Sequence, residues 1–421
     1  MSIDEGQPPG QLDGMDTPEL ADLTELRRDL HRHPEQRFAE HRTSSLLADR
    51  LRGSGFDVRT GFARTAVFGT LDSGRPGPHV MLRADMDALP TADLKDVPYA
   101  STNAGVCHAC GHDVHCAVVL GAARLLGAQD RLAEGGRLSV LYQPAEEIPF
   151  GESSGAQAVL DSGVLDEQDD ITAMLGLHCW PQLPAGTVGV DPAVAMAAKL
   201  AFKITIAGKG AHAATPHLGR DALLAASQLT VALHTLIGRD ADPNDRVALN
   251  VGTARAGDSQ SVVPPSAELT GTLRTVDDRV ADRLRAAVER VATGVAVTFD
   301  VQVGVDWKNQ MPAVRNDPRL VRLALEVLRN APHVRQVRSL PDPPMTADDF
   351  ALYARRWPAA YLKLGVAAAD AESWPSLHDG RFDVDESCIA TGSHALAAMA
   401  KAVFASGLPE PPNRGPSLAA S

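Results

Sequence analysis

The hydrophobic rhythm of the chain changes near Ala197, and this change limits the fold more than any other feature. Upstream, Glu19 to Leu51 reads as helix, with apolar spacing at Leu23, Leu26, Leu30, Leu46 and Leu47. His79-Val80-Met81-Leu82-Arg83 and Leu138-Ser139-Val140-Leu141-Tyr142 read as short buried strands, Met174-Leu175-Gly176-Leu177 as the end of another, and Cys116 to Gly127 as an apolar helix. Such alternation predicts an α/β sheet whose chemistry sits on loops at the strands' carboxyl ends. Downstream, Leu200 to Ile206 alternates as a half-exposed strand and Asp221 to Ile237 reads as helix. Strands around Ala248 and Leu269, a helix from Asp278 to Ala292 and a strand from Val297 to Val303 follow, a self-contained β-α-β-β-α-β set. The earlier pattern resumes near Pro312 and runs through Val403. A chain of 421 residues with 44% apolar content exceeds one core, so the expected organisation is one domain from 16–195 and 311–405, split by an insert at 196–310.

The ends fall outside that scheme. Residues 1–15 are polar and Pro/Gly-rich, and 406–421, with Pro409 to Ser421 rich in Pro, Gly and Ser, have little apolar surface to bury; both are expected to be disordered tails. The formal net charge is −13. Without a Lys/Arg-rich run, that balance argues against nucleic acid and anionic membranes as partners. No uninterrupted stretch of about 18 apolar residues occurs. Five cysteines, an odd number, suit a reducing compartment better than a disulfide framework. A cytoplasmic location is the expectation.

The chemistry concentrates in Cys110-Gly111-His112-Asp113-Val114-His115, two good metal ligands with two possible helpers, and in the pair Glu146-Glu147 beyond the next strand. Taken singly, each is ambiguous: buried cysteine is more often a small core residue, and adjacent glutamates usually mark a solvated helix face. His178, in Gly176-Leu177-His178-Cys179-Trp180-Pro181, and His378, in Trp374-Pro375-Ser376-Leu377-His378-Asp379-Gly380, add polar ligands at the edges of apolar elements. The sulfur can meet one ion or bridge two. A pair ~3.5–4 Å apart would activate water and polarise the bond being cut. Two adjacent glutamates cannot both be buried as free charges, so one is expected on metal and the other beside it as a base.

Seven motifs in order carry a family resemblance running from about Leu26 to Ala402. They are Arg28-Asp29-Leu30-His31-Arg32-His33-Pro34-Glu35, Leu82-Arg83-Ala84-Asp85-Met86-Asp87, His108-Ala109-Cys110-Gly111-His112-Asp113, Pro144-Ala145-Glu146-Glu147, Gly208-Lys209-Gly210-Ala211-His212, Met345-Thr346-Ala347-Asp348-Asp349-Phe350, and the His378 loop. The chain resembles the dinuclear-metal amidohydrolases that include aminoacylases, hippurate hydrolases and auxin-conjugate hydrolases, with glutamate-releasing metallocarboxypeptidases as more distant relatives. The resemblance implies a metallopeptidase-like catalytic domain, a mixed sheet between helices, interrupted by a β-α-β-β-α-β lid that also forms a homodimer. It implies two divalent ions per subunit, bridged by Cys110, with His112 and His178 completing one site and Glu147 and His378 the other. Glu146 becomes the general base, and His212 the oxyanion donor to the partner subunit's site. The bland reading of His212 is a turn histidine at a strand end. His115 and Asp113 would orient His112 or the base, although Asp113 could equally cap a helix.

Some positions depart from the pattern. Ser261-Val262-Val263-Pro264 stands where relatives carry Asn at the first position, so a substrate-contacting amide is lost or supplied by Gln260. Ile148 to Ser154 is bulkier than the Gly-rich run usual there and could reshape the pocket, and Asp348 replaces a more frequent Glu. Zinc, manganese, cobalt and nickel all suit a mixed S, N and O donor set. The expected activity is hydrolysis of N-acyl amino acids or related small amide conjugates by metal-activated water. The alternatives are a dipeptidase or carboxypeptidase, for which Arg274 is a candidate carboxylate anchor if it is not spent in a structural ion pair, and an inactive binding relative, which the full ligand set disfavours.

Overall fold

The computed structural model describes residues 17–127, 132, 135–368 and 373–408. The expected tail at 1–15 and residues 409–421 of the tail expected from 406 lie outside the described residues; Ser406 itself closes the last helix. Helices α1 (Thr17–Arg32) and α2 (His41–Gly53) lead into strands β1 (Asp57–Phe62), β2 (Ala66–Asp72) and β3 (His79–Asp85), then α3 (His112–Gly127), β4 (Arg137–Gln143), α4 (Gly155–Asp161), β5 (Ile171–Pro184), β6 (Thr187–Val190) and β7 (Val194–Met196). Next come β8 (Ala198–Ala207), β9 (Ala211–His212), α5 (Ala222–Asp240), β10 (Val247–Ala256), β11 (Val262–Val263), β12 (Ser266–Thr275), α6 (Asp278–Phe299) and β13 (Gln302–Met311). The chain closes with β14 (Val314–Arg315), α7 (Pro318–Val327), β15 (Gln336–Ser339), α8 (Phe350–Ala354), β16 (Ala359–Ala367) and α9 (Cys388–Ser406).

Eight strands form one mixed sheet in the order β1-β2-β4-β3-β5-β16-β6-β15. Its centre is parallel, β4 to β3, β3 to β5 and β5 to β16. Burial on both faces explains why these strands read as continuous apolar runs. One face is covered by α1, α2, α3, α7 and α9, with Leu26, Leu47, Leu120, Leu320 and Leu396 in its core; α4 and α8 cover the other through Val159, Phe350 and Tyr353. Each such side chain contributes roughly 1.5–3 kcal/mol by leaving water. Helix α9 is long and apolar enough to span a membrane, but 78% of it is buried inside this fold, the behaviour of a core helix.

A second sheet, β10-β12-β8-β13, is antiparallel throughout. Helices α5 and α6 cover one of its faces around Phe202, Ile204, Leu229, Leu269 and Leu284, a core separate from the first. Asp221 and Asp277 cap the two helices, their carboxylates accepting from Leu224 N–H (3.0 Å) and Arg279 N–H (2.8 Å).

Three local expectations are corrected. The helix read from Glu19 to Leu51 is two helices, because Pro34 lacks an N–H and disfavours helical backbone before it. Helix α3 begins at His112 rather than Cys116, so the metal motif enters its first turn. The strand read from Val297 is the end of α6, which runs to Phe299 and stops where Asp300 turns left-handed.

Candidate metal centre

Parallel strands bring their carboxyl ends to one edge, and that edge gathers the site. Asp85 at the end of β3 lies beside Gln143 at the end of β4, and His178 on β5 lies beside Lys363 on β16. The segments that follow β3, β4 and β16 carry Cys110 and His112, Glu146 and Glu147, and His378.

The donor atoms of Cys110, His112 and His178 lie within 4.8 Å of one another, as do those of Cys110, Glu147 and His378. Cys110 Sγ is common to both groups, 3.5 Å from His178 Nε2 and 3.4 Å from His378 Nε2. His378 Nε2 is 2.8 Å from Glu147 Oε1. A carbonyl oxygen can only accept, so His112 Nδ1 donates to the Asp87 carbonyl (2.8 Å) and His178 Nδ1 to the Cys179 carbonyl (2.8 Å). Both rings thus turn their Nε2 atoms inward. His112 Nε2 is buried without a hydrogen-bond partner.

The electrostatics fit the same reading. Burial works against a charge on His112, yet Asp85 and Asp87 outweigh it and lift the ring to about 10. Burial, then Glu147 and Glu146, push the Cys110 thiol well above its ordinary range. A thiolate persists in such surroundings only beside strong positive charge. The orphaned imidazole nitrogen, the shared sulfur and the surplus of carboxylates together fit a pair of divalent cations.

A strained turn presents the two glutamates. Ala145 adopts φ +49°, and its N–H donates to Glu40 Oε1 (2.9 Å). The N–H groups of Glu146 and Glu147 donate to the Asp87 carboxylate (3.1 and 2.9 Å). The turn packs so closely that a Cβ at Gly155 would sit 1.5 Å from the Pro144 oxygen. The two carboxyls then diverge. Burial, Asp348 and Glu147 hold Glu146 well above the ordinary carboxylate range, whereas His378 overcomes burial and lowers Glu147.

The remaining expected residues separate. His115 lies beside the centre: its Nδ1 meets Asp85 at 2.5 Å and its Nε2 accepts from Cys179 N–H (2.9 Å). Asp113 points away, receiving Arg27 Nε (2.9 Å) and His31 Nδ1 (2.7 Å), and so anchors α1 to α3 instead of orienting His112. As the second residue of α3 it is no cap either. His212 and Ser261 are exposed on the β9–β11 ribbon, outside the pocket of this chain. Arg274 lines the pocket, and its Nη1 donates to the Met345 carbonyl (2.9 Å) rather than to a carboxylate.

The pocket over the centre has a volume of about 170 Å³ and also presents Ile148, Trp180, Lys199, Thr346 and Leu377. Lys199 was missed from sequence; it lies directly opposite Arg274 across β8 and β12. The orienting roles of Asp85 and Asp87 were missed too, although their spacing at a strand end sends both side chains to one face.

Comparison with known proteins points one way. The model for peptidase family M20/M25/M40 matches residues 81–402. An N-acetyl-L-cysteine deacetylase from Bacillus subtilis is 36% identical over 381 residues, 90% of this chain and 87% of the relative. Thermostable carboxypeptidase 2 from Saccharolobus solfataricus is 31% identical over 389 residues, 91% and 96% of the two chains. The crystal structure of the Bacillus subtilis YxeP protein, a dinuclear metal-binding peptidase from the M20 family, superimposes with TM-score 0.76 at 31% identity, covering 93% of this chain and 99% of that one.

Proposed function

Because the chain belongs to peptidase family M20/M25/M40 and is a hydrolase of C–N bonds, we propose that it cleaves the amide bond of N-acyl amino acids, releasing a carboxylate and a free amino acid. The observation that carries this reading is the one sulfur, Cys110, shared by two ligand groups, neither of which includes the adjacent carboxyl of Glu146. His112 and His178 would hold one ion with Cys110, and Glu147 and His378 the other. Zinc, manganese, cobalt and nickel all suit these donors. When bound, the ions supply Lewis acidity, sharpening the acidity of a water and the electrophilicity of the amide carbonyl.

Glu146, held where protonation is easy, takes the proton of the attacking water and returns it to the departing nitrogen. Trp180 and Leu377 pack against the substrate and displace solvent. Lys199 and Arg274 face the centre from the smaller sheet and receive the α-carboxylate of an N-acyl amino acid. A carboxypeptidase would use the same pair, and a carboxypeptidase among the relatives keeps that second reading open.

His212 completes the scheme from a second copy of the chain. Ala214 N–H donates to its Nδ1 (3.0 Å), so the neutral ring carries its proton on Nε2, as an oxyanion donor requires. The smaller sheet, residues 196–310, acts as the lid between catalytic segments 16–195 and 311–405. Support for pairing through it comes from the open edge at β10 and from exposed Leu218, Leu224, Val231 and Val262; Leu224 and Val231 share one face of α5. Five buried free thiols suit a cytoplasmic enzyme. The test is a panel of N-acetyl, N-benzoyl and long-chain acyl amino acids, assayed after metal reconstitution and again after chelation. Hydrolysis that survives verified metal removal, or no hydrolysis of any member by loaded enzyme, contradicts the reading.

A further inference from the structure

A second cavity of about 230 Å³ adjoins the pocket over the metal centre, and Ile148 and Lys199 line both. Its floor is the face of the smaller sheet that the helices leave open. Alternation along β8 buries Leu200, Phe202 and Ile204 under α5 and α6 and turns Lys199 and Ala201 the other way. The register places Thr272 opposite Ala201, and Asn250 opposite Thr272. Apart from Lys199, the floor is therefore small or uncharged and polar across three strands.

The roof is the loop that continues directly from Glu146 and Glu147 and carries Ile148 and Phe150. Asn309 fixes it. This residue sits at φ +47° where the register of β13 shifts between Lys308 and Met311, a bulge that re-aims its side chain. Its Oδ1 accepts from Gly151 N–H (2.7 Å) and its Nδ2 donates to the Glu152 carbonyl (2.7 Å). Both ends of one amide tie the roof loop to the smaller sheet.

No proposed metal ligand lines this second cavity, and neither does Glu146. We infer that the second cavity is a recognition subsite for the side chain of the released amino acid, selecting long uncharged chains that can hydrogen-bond or pack. The inference rests on the N-acyl amino acid reading above. In such a substrate the α-carboxylate and the side chain leave the same carbon. With the carboxylate on Lys199 and Arg274, and Lys199 on the wall common to both cavities, the side chain is directed under Phe150. An acidic side chain would be desolvated there with Lys199 already engaged. A methyl is too short to reach, whereas an amide or thioether chain meets Asn250, Thr272 and the Phe150 ring.

The experiment compares kcat/KM of the metal-reconstituted enzyme for N-acetylglutamine, N-acetylmethionine, N-acetylalanine and N-acetylglutamate. Wild type should favour the first two. Ala201→Leu, which raises the floor, should lower both by roughly tenfold or more while N-acetylalanine changes by no more than about twofold. Phe150→Ala, at a loop position whose side chain is exposed, should raise KM for the long substrates alone and carries the test if Ala201→Leu does not fold. Equal losses for all substrates, or a wild-type preference for alanine or glutamate, overturn the subsite and leave the amidase reading standing. Failure of loaded wild-type enzyme to hydrolyse any of the four overturns both.

Discussion

The carboxyl edge of the large sheet and the β9–β11 ribbon both display histidines, in opposite states. His112 and His178 are buried, each locked by a hydrogen bond from Nδ1 to a backbone carbonyl. His212 is exposed on a short ribbon, its ring held by a single backbone N–H from Ala214. A ring fixed from behind before any ligand arrives belongs to a site that one chain completes. An exposed ring would act, on the proposed function, at a site that another surface completes. In the proposed scheme the metal-binding edge is preorganised within the subunit, while the lid would contribute from a second copy.

The most severe way to break the catalytic half of this contrast is to remove the shared sulfur. Cys110→Ser should lose at least one ion per chain and most turnover, because an alcohol stays protonated near neutral pH and bridges poorly; elemental analysis with an activity assay reads both. His212→Ala attacks the other half. It should cost ~10²–10³-fold in kcat, the usual loss for one oxyanion donor, with metal content unchanged. Mixed dimers of His212→Ala and Glu146→Gln chains should recover about half the wild-type rate per dimer, since one of their two sites keeps both groups. No recovery in a verified, metal-loaded heterodimer would confine His212 to its own subunit and dissolve the contrast.

A smaller effect concerns the wall between the halves. Arg274→Met should raise KM for N-acyl amino acids by ~10–100-fold, the range expected for a lost hydrogen bond to a charged group, with little change in kcat. The amides of the same substrates, lacking the carboxylate, should not register the change.

The smallest effect sharpens the preorganisation claim through stability. Burial pushes Glu40, behind the glutamate turn, up to about 7 despite hydrogen bonds from Thr65 and Ala145. From its ordinary value of 4.5 to about 7, the folded protein binds more protons than the unfolded chain. Stability from this group is therefore full at low pH and falls as pH rises through that window. Glu40→Gln should flatten the fall, a gain of at most about 3 kcal/mol at pH 8, measured by denaturant unfolding at pH 5 and pH 8. An unchanged pH slope would place the carboxylate in a friendlier environment than its burial implies.

Much of this contrast was legible in the chain itself. Short apolar runs marked β3, β4 and part of β5, period-two alternation marked β8, and the spacing of Cys110, His112, Glu146 and Glu147 announced metal chemistry because those side chains are costly to place together otherwise. What escaped depended on backbone conformation or on pairing. The apolar spacing of Leu26, Leu30, Leu46 and Leu47 runs on across Pro34 although the helix does not. His112 to His115 look like loop because they are polar, yet burial and specific partners allow them to open α3. Lys199 is one lysine in an alternating strand until β12 brings Arg274 beside it. Asp113 sits in the metal motif by sequence and belongs to the α1 anchor by contact.

The central claim is that two adjacent glutamates divide the work, Glu147 holding metal and Glu146 moving protons. The direct test is metal content per chain of purified Glu146→Gln and Glu147→Gln, measured side by side with turnover. The account predicts two ions and a ~10²–10⁴-fold slower reaction for Glu146→Gln, against metal loss for Glu147→Gln. Equal metal loss in both variants, or wild-type turnover in Glu146→Gln, would contradict it.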